Sequence, residues 1–545
     1  MGIYLNPSNA LFLNALNSQI FVDKTPMISE LNLLVNTQQR YLCVSRPRRF
    51  GKSMAASMLC AYYGCTEDNR PLFSDKNLAQ CSDWDKYLGK FNVIRVVMTE
   101  FLQTGRSVEE SMRKMSRRIV KELSTLHSFD PEDEDDLPYC LEICAQETGK
   151  QFVFIIDEWD AVFRELENDI PGQKYYLDFL RNLFKDRAYL ALVYMTGILP
   201  VKKYGKHSAL NMFSEYSMVS PRQLAPFTGF TADEVHSLCH VFGMSYPSIK
   251  NWYDGYTVYD SGIVNKSDGA SHASLHSSAK QYHLYAPLSV VNAMLFGQIQ
   301  NYWNATETFE ALAMYIRMVF DGLKEIVARL MDGARIPVVM DNYQNDMTTF
   351  NSKDDVLTLL IHLGYLGYDQ LTGEVFIPNR EILDVFKSST RGPQWASTMR
   401  ALRNSQELLE ATWAGDAETV AGLLEAAHDS TGNRTYNSEA ALSYAVQLAY
   451  YKAQDEYTLL PEVDTGRGYA DLIYIPKNPT RPALLVELKY RQDVDSAMEQ
   501  IKRQKYPARL EHYKGNLILV GISYDRDANP AAPNFKHHSC QLLRA

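Results

Sequence analysis

At 545 residues the chain exceeds what a single hydrophobic core organises, and at roughly 100 to 200 residues per domain it is expected to fold as three or four units. Hydrophobic residues at 46% and charged residues at 22% exclude fibrous and wholly disordered classes. A net charge of -10 excludes a surface covered everywhere in cations for nucleic acid, while leaving room for a local basic groove.

The longest apolar stretch, YLALVYMTGILP at 189–200, falls short of the roughly 20 residues that cross a bilayer. The opening MGIYLNPSNA lacks the basic-then-apolar pattern of an export signal, so no membrane partner is expected and the cytoplasm is the expected location. Eight cysteines are scattered without a CxxC pair. Cys140 and Cys144 are spaced to share a helix face, but with no second pair they read as small buried thiols in a reducing compartment.

In chain order, four near-continuous apolar runs at 40–45, 92–98, 151–157 and 189–196 read as parallel strands covered on both faces. Helices predicted at 52–64, 107–123 and 174–186 alternate with them, which is the pattern of a doubly wound α/β sheet. The acidic run at 130–136 is expected to be a surface loop, and the Ser-, Gly- and His-rich stretch at 260–280 a mobile insertion with incidental histidines. Helical periodicity then dominates 226–425, with Thr231 as an N-cap and WYDGY at 252–256 as aromatic packing around a glycine turn; this region reads as a helical lid and connector. From 426 to 545 an αββαβ order predicts a separate α/β domain, after a first domain spanning 1–225.

The stretch YLCVSRPRRFGKS at 41–53 is a buried strand entering a phosphate-binding loop whose usual first glycine is replaced by Arg46. Gly51 opens the backbone, Lys52 reaches the terminal phosphates, and Ser53 offers a hydroxyl to Mg²⁺ at a helix N-terminus. Arg46, Arg48 and Arg49 read either as a solvated basic turn or as added positive charge beside a polyphosphate, with Pro47 stiffening the loop and Phe50 completing it. FVFIIDEWD supplies the acidic counterpart: Asp157 to hold the Mg²⁺ shell and Glu158 to polarise an attacking water. Thr196, ending the next strand, is placed to sense the γ-phosphate. Strand 92–98 lies between the loop strand and the acidic strand in sequence, and is expected between them in the sheet as well, the arrangement of ATPases that carry a catalytic glutamate.

The segments FVDKT, SRPRRFGKS, FIIDEWD, TGILPVKKYG and WYDGY, in that order, resemble the AAA-ATPase-like family of prokaryotic proteins over about residues 5 to 300. The resemblance implies that Arg46 is the normal form of this loop, that ATP rather than GTP is the nucleotide, and that a PD-(D/E)XK nuclease-like domain closes the chain.

The residues of the last segment meet that expectation on their own terms. In GYADLIYIPKNPTRPALLVELKY, Glu487 and Lys489 are two apart on one strand and leave the same face, while Asp471 opens the preceding strand. Two carboxylates and a lysine suit Mg²⁺-assisted phosphodiester cleavage. A solvated Glu–Lys pair on an edge strand is the bland alternative. The spacing resembles the PD-(D/E)XK nuclease core, with Ala470 where that core usually has proline. Glu439 upstream is a candidate further ligand, and Gln500 and Lys502 lie on the helix that follows.

The expected activity is therefore an ATP-hydrolysing protein that controls a Mg²⁺-dependent nuclease acting on DNA or RNA. The alternative is a nucleotide-dependent switch whose nuclease-like domain binds nucleic acid or a partner without cutting. Either fits a homo-oligomer.

Overall fold

The computed structural model describes all residues except 1, 103–106, 131–132, 134, 202–209, 261–279, 304–307, 319, 321, 341–342, 345–346, 392, 432–441, 444–445, 448, 465–468, 504–512, 514 and 526–536. It gives the backbone alone at 308–311, 393–394, 396–403, 428–431, 454–455, 461–464, 469–471 and 503. The chain divides into two compact units, Met1–Thr390 and Arg391–Ala545.

The first unit is built on a five-stranded parallel sheet: β1 (Tyr41–Ser45), β2 (Asn92–Val97), β3 (Phe152–Asp157), β4 (Leu190–Gly197) and β5 (Ser214–Tyr216), in the order β2-β3-β4-β1-β5. Strand alternation sorts its side chains into two layers. Leu42, Val44, Val153, Ile155 and Leu192 pack against helix α1 (Lys52–Tyr63), whose Ala56, Leu59 and Tyr63 are buried. Tyr41, Cys43, Phe154, Ile156, Val193 and Met195 meet helix α2 (Val108–Leu123) and the helices Leu137–Thr148 and Ile170–Phe184 on the other side. Cys140 and Cys144 are buried in that second layer. The four predicted strands and three predicted helices are all present; β5, at three residues, is too short to leave a hydrophobic signature.

The strand expected between the loop strand and the acidic strand is not there. β4 separates β1 from β3, and β2 lies outside β3. Burial explains the placement: all eight residues of β4 are buried, whereas β2 leaves Arg95 and Val97 partly exposed, a profile suited to a flank. One strand still separates loop from acid, but it is the one ending in Thr196 and Gly197.

Beyond β5 the chain is mixed rather than purely helical. Helices such as Ala232–Phe242, Pro287–Phe296 and Lys353–Leu363 alternate with two small three-stranded sheets. Thr231 caps its helix as expected, through a capping box with Glu234. The segment at 261–279 lies outside the described residues; the strands before and after it pair, Asp260 opposite Lys280. In WYDGY, Tyr253 and Tyr256 are buried, and Gly255 adopts φ +138° with its α-carbon against the carbonyl of Pro378.

The second unit carries a five-stranded mixed sheet: β6 (Tyr457–Asp464), β7 (Tyr469–Pro476), β8 (Ala483–Tyr490), β9 (Leu517–Tyr524) and β10 (His538–Arg544), ordered as numbered. β8 and β9 run parallel and the other neighbours antiparallel. Helix Val494–Arg503 covers the face of Ala483 and Leu485. The opposite face, with Leu484, Val486 and Leu488, meets Leu408, Leu409, Val420 and Leu424 of helices Pro393–Ala414 and Ala417–Thr431. Helical periodicity alone assigns those two helices to the middle region. Their apolar faces are committed to this sheet, which moves the division of the chain from 425 to 390. β6 and β10 fall outside the predicted αββαβ order because YTLLPEVD and HSCQLLR show neither a continuous apolar run nor a strict alternation of apolar and polar residues.

A Cβ at position 255 would stand 1.7 Å from the Pro378 carbonyl oxygen, whereas one at Gly243, a helix C-cap with φ +64°, meets nothing within 4 Å. Gly255→Ala is therefore expected to destabilise the first unit by about 3 kcal/mol or more, and Gly243→Ala by about 1 kcal/mol. Urea unfolding of the two variants checks this: equal losses would show that the turn at 255 yields to an added methyl group.

Candidate functional site

The C-terminal ends of β1, β3 and β4 open onto a cavity of about 710 Å³, within the usual range for small-molecule sites. One side is charged. Arg48, Arg49, Lys52 and Arg164 face Asp157, Glu158 and Asp160 across the mouth of the loop. The other side is apolar, with Phe21, Val22, Phe227, Phe230, Leu288 and Val291. A polyphosphate and a flat heterocycle would divide between these halves.

The loop is shaped by two left-handed residues, Arg49 at φ +70° and Gly51 at φ +85°. The second is where glycine is required, since α1 begins at the next residue. Lys52 is buried, and its Nζ donates to the carbonyls of Arg46 at 2.9 Å and Pro47 at 2.7 Å. Burial lowers its pKa from 10.5 to about 8, against the opposing pull of Asp160 and Asp157. That shift corresponds to about 3 kcal/mol disfavouring the ammonium. Ser53 is exposed at the first turn of α1.

Arg46 is neither solvated nor in the cavity. Strand parity sets it with Leu42 and Val44, on the face of Tyr194 and Tyr216, and it is fully buried. Its Nη1 donates to the carbonyls of Ser45 and Tyr216, both at 2.8 Å, and its backbone N–H to Gly197 O at 3.0 Å. Burial lowers its pKa to about 10. The side chain ties the start of the loop to β5 and brings no charge to the mouth. Pro47 and Phe50 are also buried, and both point at the region beyond β5. A Cβ on Gly364 would come within 2.8 Å of Pro47 Cβ. The Phe50 ring meets Tyr256 edge-on at 5.5 Å, Tyr256 Oη donates to Gly364 O at 2.6 Å, and Gly229 N–H donates to Phe50 O at 3.1 Å. The loop is thus backed by WYDGY and by the end of helix Lys353–Leu363.

Asp157 is buried and accepts from the hydroxyl of Thr196, which is itself fully buried, and from Glu158 N–H at 3.2 Å. Thr196 therefore positions the carboxylate and does not itself line the cavity. Glu158 takes a left-handed φ of +54°, which turns its half-exposed carboxylate into the cavity, 3.3 Å from Arg164 Nη2. Three residues to which the sequence reading gives no role in the site belong here, although Lys24 and Asp160 lie inside FVDKT and FIIDEWD. Asp160, fully buried, accepts from the amides of Ile198 and Leu199 at 2.9 Å and pairs with Arg164 at 3.2 Å. Lys24 of FVDKT lines the cavity and is bound by Glu234 at 2.6 Å and Pro226 O at 2.7 Å. The i,i+4 spacing of Asp160 and Arg164 was the available signal for that pair.

In the second unit Glu487 is buried, 1% exposed, and Lys489 Nζ approaches its Oε1 at 3.2 Å. This pair is not solvated on an edge: β8 is the central strand, flanked by β7 and β9. Leu472 pairs with Val486, so one further step of the register sets the backbone of Asp471 across from Glu487. Glu487 lies opposite Gly521, whose missing side chain lets Met498 of helix Val494–Arg503 pack closely; a Cβ there would be 2.9 Å from its Sδ. On that helix Gln500 is half-buried and Lys502 exposed. Glu439 lies outside the described residues.

The sheet order and the loop define the first unit as an α/β fold of the P-loop NTPase class, and the second as a mixed sheet of the restriction-endonuclease-like kind. Residues 15–205 match the family model for predicted AAA-ATPases, and residues 442–529 that of the PD-(D/E)XK nuclease superfamily. The chain joins an AAA-ATPase-like domain to a PD-(D/E)XK nuclease superfamily domain. A curated relative, the uncharacterized protein in the vnfD 5' region of Azotobacter chroococcum mcd 1, is 24% identical over 261 residues. That alignment covers 46% of this chain, which spans about half the relative's length, 47%. Among solved structures, the Aeropyrum pernix ORC1 protein in complex with DNA aligns over 72% of this chain and 98% of its own, at 12% identity and a TM-score of 0.24, a likeness too low to carry an argument. Among the described residues no helix is long and apolar enough to cross a membrane.

Because burial depresses the Lys52 pKa, its charge weakens the folded state at neutral pH, and that penalty fades as pH rises from about 8 towards 10.5. A polyphosphate beside Nζ acts the other way and restores the ammonium. Nucleotide binding at about pH 9 is therefore expected to take up a proton, and affinity to fall by up to about tenfold per pH unit above about pH 8. Calorimetry in buffers of different ionisation heat measures the uptake; Lys52→Arg should abolish it, and a proton-neutral wild type would contradict the assignment.

Proposed function

We propose that the protein is an ATP-hydrolysing regulator of a Mg²⁺-dependent nuclease carried on the same chain. The observation that carries the reading is the convergence on one cavity of Lys52, Ser53, Asp157 and Glu158, with an apolar wall opposite. The loop amides, Lys52 and Arg48 or Arg49 would hold the phosphates, and the apolar half the adenine. Ser53 and Asp157 would hold Mg²⁺, the hydroxyl being exposed at the first turn of α1 and the carboxylate fixed by Thr196. Glu158 would orient the attacking water and accept its proton, while Arg164 sets where that carboxylate rests.

In the second unit, Asp471 and Glu487 would hold a second Mg²⁺, and Lys489 would position water and steady charge on the scissile phosphate. The buried Glu487 carboxylate is suited to this: a hard oxygen donor on a central strand, with the Lys489 ammonium 3.2 Å away. Bound metal supplies Lewis-acid charge to the phosphodiester. Control of one site by the other is supported by their presence in one chain. A second reading, a switch whose nuclease-like unit binds without cutting, draws support from the same ion pair, since a Lys489 that stays on Glu487 leaves water unassisted.

Cleavage of DNA and RNA substrates, with and without ATP and Mg²⁺, separates the two. Wild type is expected to cut, Lys489→Ala and Glu487→Gln to lose about 10²- to 10⁴-fold, and Lys52→Ala to lose its response to ATP. Cutting that survives Lys489→Ala refutes the nuclease site. Binding without cutting by the wild type supports the switch, and indifference to Lys52→Ala removes the coupling.

A further inference from the structure

Helix α2 presents an exposed cationic face that neither site uses. Residues 113 to 121 hold five cations and no acid, in a chain whose net charge is -10. Arg113, Arg117 and Lys121 succeed one another at i, i+4 and i+8, a straight row of about 12 Å. Lys114 and Arg118 form a second row beside it. Together with Glu110 they line a depression of about 400 Å³. Glu110 is engaged in the helix cap, accepting from Ser107 N–H at 3.2 Å, which leaves the rest of the depression to the cations.

The support beneath this face is rigid. Met112, Met115, Ile119 and Leu123 are buried in the core of the sheet layer. Arg118 is braced by the Tyr4 hydroxyl at 2.9 Å and by the Phe101 ring. The ion pairs of Arg113 with Glu109 and of Arg117 with Asp135 lie between side chains more than half exposed, of the kind that contribute at most about 1 kcal/mol and exchange readily for another anion.

We infer that this face of α2 is a docking surface for the phosphate backbone of double-stranded DNA. The helix carries no aromatic residue on which unpaired bases would stack, as single-strand sites require. The helix itself carries no Asn, Gln or Tyr side chain of the kind that reads a 2′-hydroxyl, and the Tyr4 hydroxyl beside it is engaged by Arg118, so the cations it presents are matched to charge spacing rather than to ribose. Its apolar residues are committed to the core, which leaves neither a wedge for a bilayer nor the apolar anchor that gives a protein interface its affinity. A phosphate backbone requires neither.

The inference goes beyond the proposed activity and does not depend on it, because binding can be measured without cleavage. The full chain carrying Lys489→Ala, in EDTA, is titrated with a duplex DNA of about 20 base pairs over a series of salt concentrations. Adding Arg113→Gln, Arg117→Gln and Lys121→Gln is expected to weaken binding at least about tenfold and to reduce the salt slope by about 2.7, at about 0.9 for each phosphate no longer neutralised. Lys121→Gln alone should remove about 0.9 of that slope. Melting temperature and ATP binding should stay unchanged in both variants. An unaltered slope, or no DNA binding by the parent, overturns the inference. Tighter binding of duplex RNA, of single-stranded DNA or of a polyglutamate peptide than of duplex DNA overturns the choice of partner.

Discussion

A single buried ammonium organises the first unit. Lys52 sits inside the turn that it would otherwise reach across, held by the carbonyls of Arg46 and Pro47 and balanced by Asp157 and Asp160. Each of those partners is fixed in turn: Arg46 by the carbonyl of Tyr216, Asp157 by Thr196, and Asp160 by two backbone amides and Arg164. Removing water from this many charges is tolerable because each is held by its own hydrogen-bond partners, backbone groups for Lys52, Arg46 and Asp160 and a hydroxyl for Asp157, while opposite charges lie close by. The parallel sheet supplies the geometry, since the ends of β1, β3 and β4 deliver all three groups to one edge.

Much of this was legible in the sequence because the relevant signals are local. An apolar run ending in GKS, and another ending in Asp157-Glu158, state their positions without reference to the rest of the chain. What was not legible depended on neighbours. Strand order is a tertiary choice, and the fully buried β4 took the position between loop and acid that chain order had suggested for β2. The direction of Arg46 follows from parity with Val44, a rule applied readily to strands but not to the residue just past one. Lys24 finds its role through Glu234, 210 residues away, and Asp160 through the amides of Ile198 and Leu199 as well as its neighbour Arg164.

The second unit repeats the lesson on a smaller scale. The turn between β7 and β8 and the helix after β8 follow from pattern alone, as does the proximity of Glu487 to Lys489; the packing of that helix over Gly521 does not. The helices at 393–414 and 417–431 did not, because an amphipathic helix records that it has an apolar face and not which sheet receives it.

The backing of the loop by Pro47 and Phe50 bears on how such a motif can be exchanged between proteins. In many phosphate loops the groups that meet the ligand belong to a segment that carries its own conformation. Here the side chains that fix the turn lean on Gly364, Gly229 and Tyr256, far along the chain. The eight residues RPRRFGKS are accordingly half of a joint whose other half lies beyond β5. Transplanted to a scaffold that lacks those three residues, the segment would keep its letters and lose its shape.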